Sequence, residues 1–324
     1  MKRHGFFFAW LFCGITEMAF AQIPNTAEML GYNPQDKLLI INADDFGMCH
    51  AENVATIELL QGGHISSATL MVPCPWAKEA VTFCLKHPEV NVGIHTTFTS
   101  EWKYYKWGSV APSSQVLSLL TPEGYFPSGV QTVETNARPE EIEIEMRAQI
   151  EKVLAFGIKP THFDNHMGSV YGLLTGRHFF DVVFKLSAEY NLPFRLPRNL
   201  SDRYLQVLPQ PAIQQMQQKA QEIIAKGYVL PDYLETVEHG KSYDETALAY
   251  QTLLSQIKPG VTELYIHAAL PTEEMKAISG AWKNRERDYQ FFKSPETRKF
   301  LADQEIKMIS YRELRALQMA RMGR

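Results

Sequence analysis

Residues 37–47 read KLLIINADDFG, an apolar run that ends in two adjacent carboxylates and a glycine. The run is a buried-looking strand, and it delivers Asp44 and Asp45 at its end. A carboxylate taken into a low-dielectric site without a partner costs several kcal/mol, so such groups are usually paired or bind a metal. Two readings follow: a solvated turn with one aspartate capping the helix that begins near His50, or a metal ligand beside a general base. Neighbouring strand residues point to opposite faces. Asp44 and Asp45 therefore share a face only if the strand has begun to turn, and Gly47, free to adopt a left-handed conformation, permits that.

Outward from this stretch, short apolar segments recur. Residues 37–43, 65–72, 91–95, 160–164, 193–197, 228–231, 262–267 and 306–310 read as strands. Helical patterns lie between them at 140–156, 178–190, 213–226, 243–257 and 311–322. In 140–156, Ile142, Met146, Ile150, Val153 and Leu154 share one stripe, and Gly157 follows as a C-terminal cap. Strands alternating with helices in this way predict a single α/β domain over 22–324, either a (β/α) barrel or a doubly wound sheet. Residues 100–138 break the rhythm. They carry Trp102, Tyr104, Tyr105, Trp107 and Tyr125 without regular periodicity, and so long an irregular connection inside a domain is usually functional.

The chain has 324 residues, 45% of them hydrophobic, and a formal charge of −4. No basic block is present, which argues against a nucleic-acid partner. Lys2, Arg3 and His4 precede an apolar run at 6–15, and Ala19 and Ala21 then occupy the −3 and −1 positions of a cleavage site. These are the parts of a secretory signal peptide over 1–21, with an apolar core too short for a permanent membrane span. A secreted or periplasmic location is expected. Cys49, Cys74 and Cys84 remain; an odd number without close pairs argues for buried free thiols, although Cys74 and Cys84 could pair.

In a barrel, chemistry sits at the C-terminal ends of strands. The first expected strand ends in Asp44–Asp45, the third in His95, the fourth runs through His162, Asp164 and His166, and the seventh ends in His267. A lone histidine at a strand end is more often structural than functional, but four titratable strand ends would need four separate structural explanations. The tripeptide Asp45–Phe46–Gly47 also matches a protein-kinase metal motif, yet no Gly-rich loop, Val-Ala-Ile-Lys or His-Arg-Asp sequence accompanies it. Two imidazoles and a carboxylate (His95, His166 and one aspartate of the pair) make a three-ligand set that leaves room for water. Zinc, cobalt, manganese or iron suits it. Asp164 is placed to orient a ligand histidine through its second ring nitrogen, and His162 reads as structural.

The segments NADDFG, Gly-Ile-His at 93–95 and Thr-His-Phe-Asp-Asn-His at 161–166 resemble, in this order, the YdjC-like carbohydrate deacetylase family. That resemblance implies a distorted (β/α) TIM-like barrel related to polysaccharide deacetylases. It also implies removal of N-acetyl groups from small amino sugars such as chitooligosaccharides with one divalent metal ion, magnesium included. It gives Asp45, His95 and His166 as metal ligands, Asp44 as general base, His267 as the acid that protonates the leaving amine, and Arg195 as a substrate contact near the site. Trp102 and Trp107 then stand either to stack on a sugar face or to pack the core of a lid. Two departures bear on the substrate: Met167, Gly168 and Ser169 replace a histidine-rich run, and 100–138 is long and aromatic. The alternatives are hydrolysis of another amide or ester at the same site, or a secreted carbohydrate-binding protein without turnover.

Overall fold

A computed structural model describes residues 24–323. The expected signal peptide at 1–21 lies outside the described residues.

β1 (Lys37–Phe46) forms the axis of a sheet whose strands are all parallel. β6 (Gly260–Ile266) pairs along one edge of β1, from Lys37–Gly260 to Ala43–Ile266. The other edge is shared: β7 (Ile306–Met308) takes the start of β1, and β2 (Ser67–Leu70) takes its end. β3 (Val92–Thr96) and β4 (Phe163–Asn165) continue beyond β2, and β5 (Tyr233–Glu235) lies beyond β6.

The two ends of this sheet are joined by isolated bonds rather than by ladders. Phe163 on β4 bridges Phe194; Arg198 N–H donates to the Pro231 carbonyl at 2.9 Å, and Asp232 N–H donates to the Val261 carbonyl at 2.8 Å. The result is a distorted (β/α) barrel, as the resemblance implied. The expected strand at 193–197 shrinks to the bridge at Phe194, and 228–231 is not a strand; β5 begins two residues later. Pro193, Pro197 and Pro231 explain both, because proline has no N–H to give a ladder.

The five expected helices are present as Pro139–Ala155, Phe180–Tyr190, Gln210–Ala225, Tyr243–Ser255 and Tyr311–Arg321. Gly157 follows the first with φ +88°, as a cap requires. Trp282–Lys293 is a further helix with no sequence forecast, because two of its inward residues are Arg285 and Asp288 and no clean apolar stripe shows.

The glycine of Gly-Ile-His has a steric cause. A Cβ at Gly93 would lie 2.5 Å from the ring of His162, which is fully buried and stacked on Tyr311 at 3.7 Å. Burial holds that imidazole well below its ordinary range. His162 is thus a packed structural ring, in line with its sequence reading. Residues 100–138 contribute Trp107, Val116, Leu119 and Phe126 to the core. They are tied down by the helix Pro139–Ala155, where the two Glu145 oxygens accept from the N–H groups of Val110 and Ala111, each at 2.9 Å. Cys49, Cys74 and Cys84 are buried free thiols. Among the described residues no helix is long and apolar enough to cross a membrane.

Candidate active site and metal centre

The end of β1 turns before the strand is finished. Pairing with β2 slips between Ala43 and Phe46, and Asp45 takes a left-handed φ of +62°. Aspartate tolerates that region better than most residues, and a bulge re-aims the side chains on either side of it. Both carboxylates therefore face the cavity at the C-terminal end of the barrel. The turn falls on Asp45 itself as well as on Gly47, whose φ is +94°. Neither aspartate caps the following helix, His50–Gln61, whose N-cap is Cys49. Asn53 of that helix instead accepts from Gly47 N–H at 2.7 Å and so fixes the turn.

Asp45, His95 and His166 converge. Asp45 Oδ1 lies 3.3 Å from His95 Nε2 and 3.1 Å from His166 Nδ1, and the two ring nitrogens are 3.3 Å apart. The other nitrogen of each ring is engaged. His95 Nδ1 meets Asp164 Oδ1 at 2.6 Å, and His166 Nε2 meets Glu101 Oε2 at 3.0 Å. Because Asp164 and Glu101 accept the proton of the outer nitrogen of each ring, the nitrogens turned to Asp45 are free to present lone pairs to a cation. Asp45 Oδ1 is buried and has no partner other than these two rings. Packed this closely, the three atoms need positive charge among them, from ring protons or from a metal ion. Adjacent ligands of an ion bound at roughly 2.1 Å stand about 3.0 to 3.4 Å apart, which these separations match. The residues present fit a divalent metal.

The electrostatics show the same demand for positive charge, met by ring protons when no metal is bound. Burial disfavours a charged imidazole, yet Asp164 and Asp44 outweigh it and push His95 up to about 9. Against the same burial, Glu101 and Asp45 hold His166 well above its ordinary range. The pocket is one that draws in positive charge. Burial would raise Asp45, but Arg285, whose Nη2 is 2.8 Å from its outer oxygen, and His166 keep it well below the usual carboxylate range. Arg285 also pairs with the buried Glu52.

Asp44, His95 and Asp164 form a second cluster of metal-ligating types. Its oxygens are already occupied. Arg195 donates Nη1 to Asp44 Oδ2 and Nη2 to Oδ1, both at 2.7 Å, and Asn42 Nδ2 donates to Oδ1 at 2.7 Å. Asp164 Oδ2 faces Arg195 Nη2 at 2.7 Å and accepts from Thr69 Oγ1 at 2.9 Å. Burial alone would raise Asp44; the guanidinium beside it prevails and holds it well below its ordinary value. Asp44 is thus an ionised acceptor at the cavity edge, 4% exposed. His267 follows β6 and also lines the cavity, its N–H bonded to Asp288 Oδ2 at 3.1 Å.

The aromatic expectations change, and Arg195 has a further task. Arg195, expected as a substrate contact, lines the cavity and is also buried with Nε, Nη1 and Nη2 all on carboxylates, the first on Glu263 Oε1 at 2.7 Å. Trp107 is 3% exposed, gives its indole N–H to the Thr99 carbonyl and packs 6.2 Å from the His166 ring, so it supports that ligand from behind rather than meeting a sugar. Trp102 stacks edge-on against Trp107 and beneath Arg285, also outside the cavity lining.

The profile of YdjC-like proteins matches residues 38–303. The chain belongs to the YdjC-like family. Relatives in it include a carbohydrate deacetylase of Brevibacillus brevis, 29% identical over 85% of this chain and 99% of its own. One of Thermus thermophilus is 29% identical over 82% of this chain and 90% of its own. A crystal structure from Enterococcus faecalis V583, described as a cellobiose-phosphate cleavage protein, superposes with a TM-score of 0.68 at 26% identity, covering 86% of this chain and 99% of that one. This YdjC-like chain also uses residues that sequence reading passed over. Asn42 had a visible signal, sharing strand parity with Asp44. Glu101 and Arg285 had none, since one lies in an irregular segment and the other in a polar helix.

Proposed function

We propose that this protein is a metal-dependent carbohydrate deacetylase that hydrolyses the N-acetyl group of small amino sugars or their short oligomers. The observation that carries this reading is the convergence of Asp45 Oδ1, His95 Nε2 and His166 Nδ1 within 3.1–3.3 Å, with Asp45 Oδ1 otherwise unpartnered. The names of the relatives supply the substrate class.

Asp45, His95 and His166 would hold the ion, which when bound polarises the acetamide carbonyl and lowers the pKa of water. Zinc and magnesium are the leading candidates, with manganese, cobalt or iron compatible. Asp164 and Glu101 keep the ring protons of His95 and His166 away from the ligand nitrogens. Asp44 accepts the proton of the attacking water, and Arg195 and Asn42 hold its oxygens in place for that task. His267 donates a proton to the amine nitrogen as the C–N bond breaks, giving acetate and a free amine. The signal-peptide pattern at 1–21 supports an enzyme working outside the cytoplasm, and secreted material beginning at Gln22 would bear that out.

The test is acetate release by metal-loaded protein from N-acetylglucosamine, chitooligosaccharides and peptidoglycan fragments, with Asp44→Asn beside wild type. Release abolished in the variant supports the reading. Metal-replete protein that releases no acetate from any of them refutes it.

A further inference from the structure

The cavity at the barrel mouth, about 390 Å³, has two kinds of lining. The charged groups described above make one. Leu173, Leu200, Leu208, Met216 and Leu234 make the other. Leu200, Tyr204 and Leu208 recur every fourth residue in and around the short helix Asp202–Val207, so one face of that turn fronts the cavity. On the same helix Leu205 is 40% and Val207 62% exposed, so its outer face is apolar as well.

The polar side chains of Tyr171, Tyr204, Tyr265 and Asn165 each already have a protein partner. The Tyr171 hydroxyl donates to the Arg195 carbonyl, and the hydroxyls of Tyr204 and Tyr265 meet each other at 3.4 Å. Asn165 gives Nδ2 to the Thr96 carbonyl at 2.8 Å, while its Oδ1 accepts from Ser169 Oγ and Val170 N–H. A sugar hydroxyl buried against the leucines and Met216 would lose its water partners and gain none. An apolar group would lose nothing and leave water.

We infer that the substrate is an amphiphilic amino sugar whose aglycone side carries an apolar chain or ring that packs on this apolar lining. The inference rests on the deacetylase reading for its direction. His267, the proposed donor to the leaving amine, lies two residues beyond Tyr265, and β6 pairs with β5, which carries Leu234. The amine, and the sugar attached to it, therefore leave on the side of β6 and β5, which carry Tyr265 and Leu234.

The test compares methyl and octyl β-glycosides of N-acetylglucosamine, both below micellar concentration, with metal-loaded full-length protein. The readouts are kcat/KM for acetate release and, separately, glycoside affinity by calorimetry. Each buried methylene is worth about fourfold, so the octyl glycoside should exceed the methyl glycoside by at least about a hundredfold. Leu208→Asn and Met216→Gln should each reduce that octyl-to-methyl ratio about tenfold. Equal or better turnover of the methyl glycoside overturns the inference. So does a gain from lengthening the N-acyl group to hexanoyl with none from the aglycone, since it puts the apolar group on the acyl side. Octyl-selective binding without any acetate release would support the apolar subsite while refuting the deacetylase reading; neither selectivity nor release refutes both.

Discussion

Replacing Asp164 by asparagine tests how the metal site is held together. Asp164 touches no cavity, yet its Oδ1 receives the His95 Nδ1 proton at 2.6 Å, and its Oδ2 accepts from Thr69 at 2.9 Å and faces Arg195 Nη2 at 2.7 Å. An amide is nearly the same size but has one acceptor and one donor in place of two acceptors. With its oxygen toward His95, its NH₂ confronts the donors of Thr69 and Arg195. Turned over, its NH₂ confronts His95 Nδ1 and drives the ring proton to Nε2, the atom that must present a lone pair beside Asp45. Either placement weakens the ligand set. Partners of this kind are worth 10- to 100-fold in metal affinity, or about 1.4–2.7 kcal/mol. Competition against a chelator of known affinity reads the loss directly, with circular dichroism verifying that the variant is folded. A folded Asp164→Asn protein with metal affinity within twofold of wild type would refute the reasoning.

Glu101→Gln should lower metal affinity as well, by about tenfold at most, because Glu101 is partly solvated and reaches His166 from the aromatic insertion; an unchanged chelator titration would remove Glu101 from the account. Gly93→Ala forces a methyl group to within 2.5 Å of the His162 ring, which is trapped beneath Tyr311, and overpacking of this sort costs about 1–3 kcal/mol. Thermal unfolding should show a Tm lower by several degrees, and an unaltered Tm would mean that the ring has room. Burial pushes Glu145 up to about 7 from 4.5, against the N–H groups of Val110 and Ala111, the Gln149 amide and the charge of Lys152. The folded chain therefore holds a proton that the unfolded chain has released between those values. Stability from this group is full below pH 4.5 and falls as pH rises through about 7, by on the order of 2–3 kcal/mol. Denaturant melts from pH 4.5 to 8 should show a shallower decline in Glu145→Gln; parallel curves would contradict this.

Much of the site was legible because its residues stand at strand ends, where sequence position and spatial position coincide. KLLIINADDFG places Asp44 and Asp45 at a strand end, and the parity of His162, Asp164 and His166 places their side chains. What supports those residues was not legible. Arg195 holds Asp44 from 151 positions away and Arg285 holds Asp45 from 240, distances over which no local pattern speaks. The polar helix Trp282–Lys293 hid for the same reason that it matters: its inward charges answer charges on other elements. Trp102 and Trp107 were read by type, either to stack on a sugar or to pack a lid core, and their neighbours favour packing, with Trp107 buried against His166 and Trp102 partly buried against Trp107. The alternation of strands and helices left a barrel and a doubly wound sheet both open, and the family resemblance pointed to the barrel. Its broken closure turned on three prolines, Pro193, Pro197 and Pro231, whose effect on pairing depends on which edge they meet.

The most direct measurement on the central claim is the metal content of purified wild-type protein and of His166→Ala after equilibrium dialysis against zinc. One ion per wild-type chain, falling well below that in the variant, is the predicted result. Equal metal content in the two proteins, or none in either, would contradict a centre built on Asp45, His95 and His166.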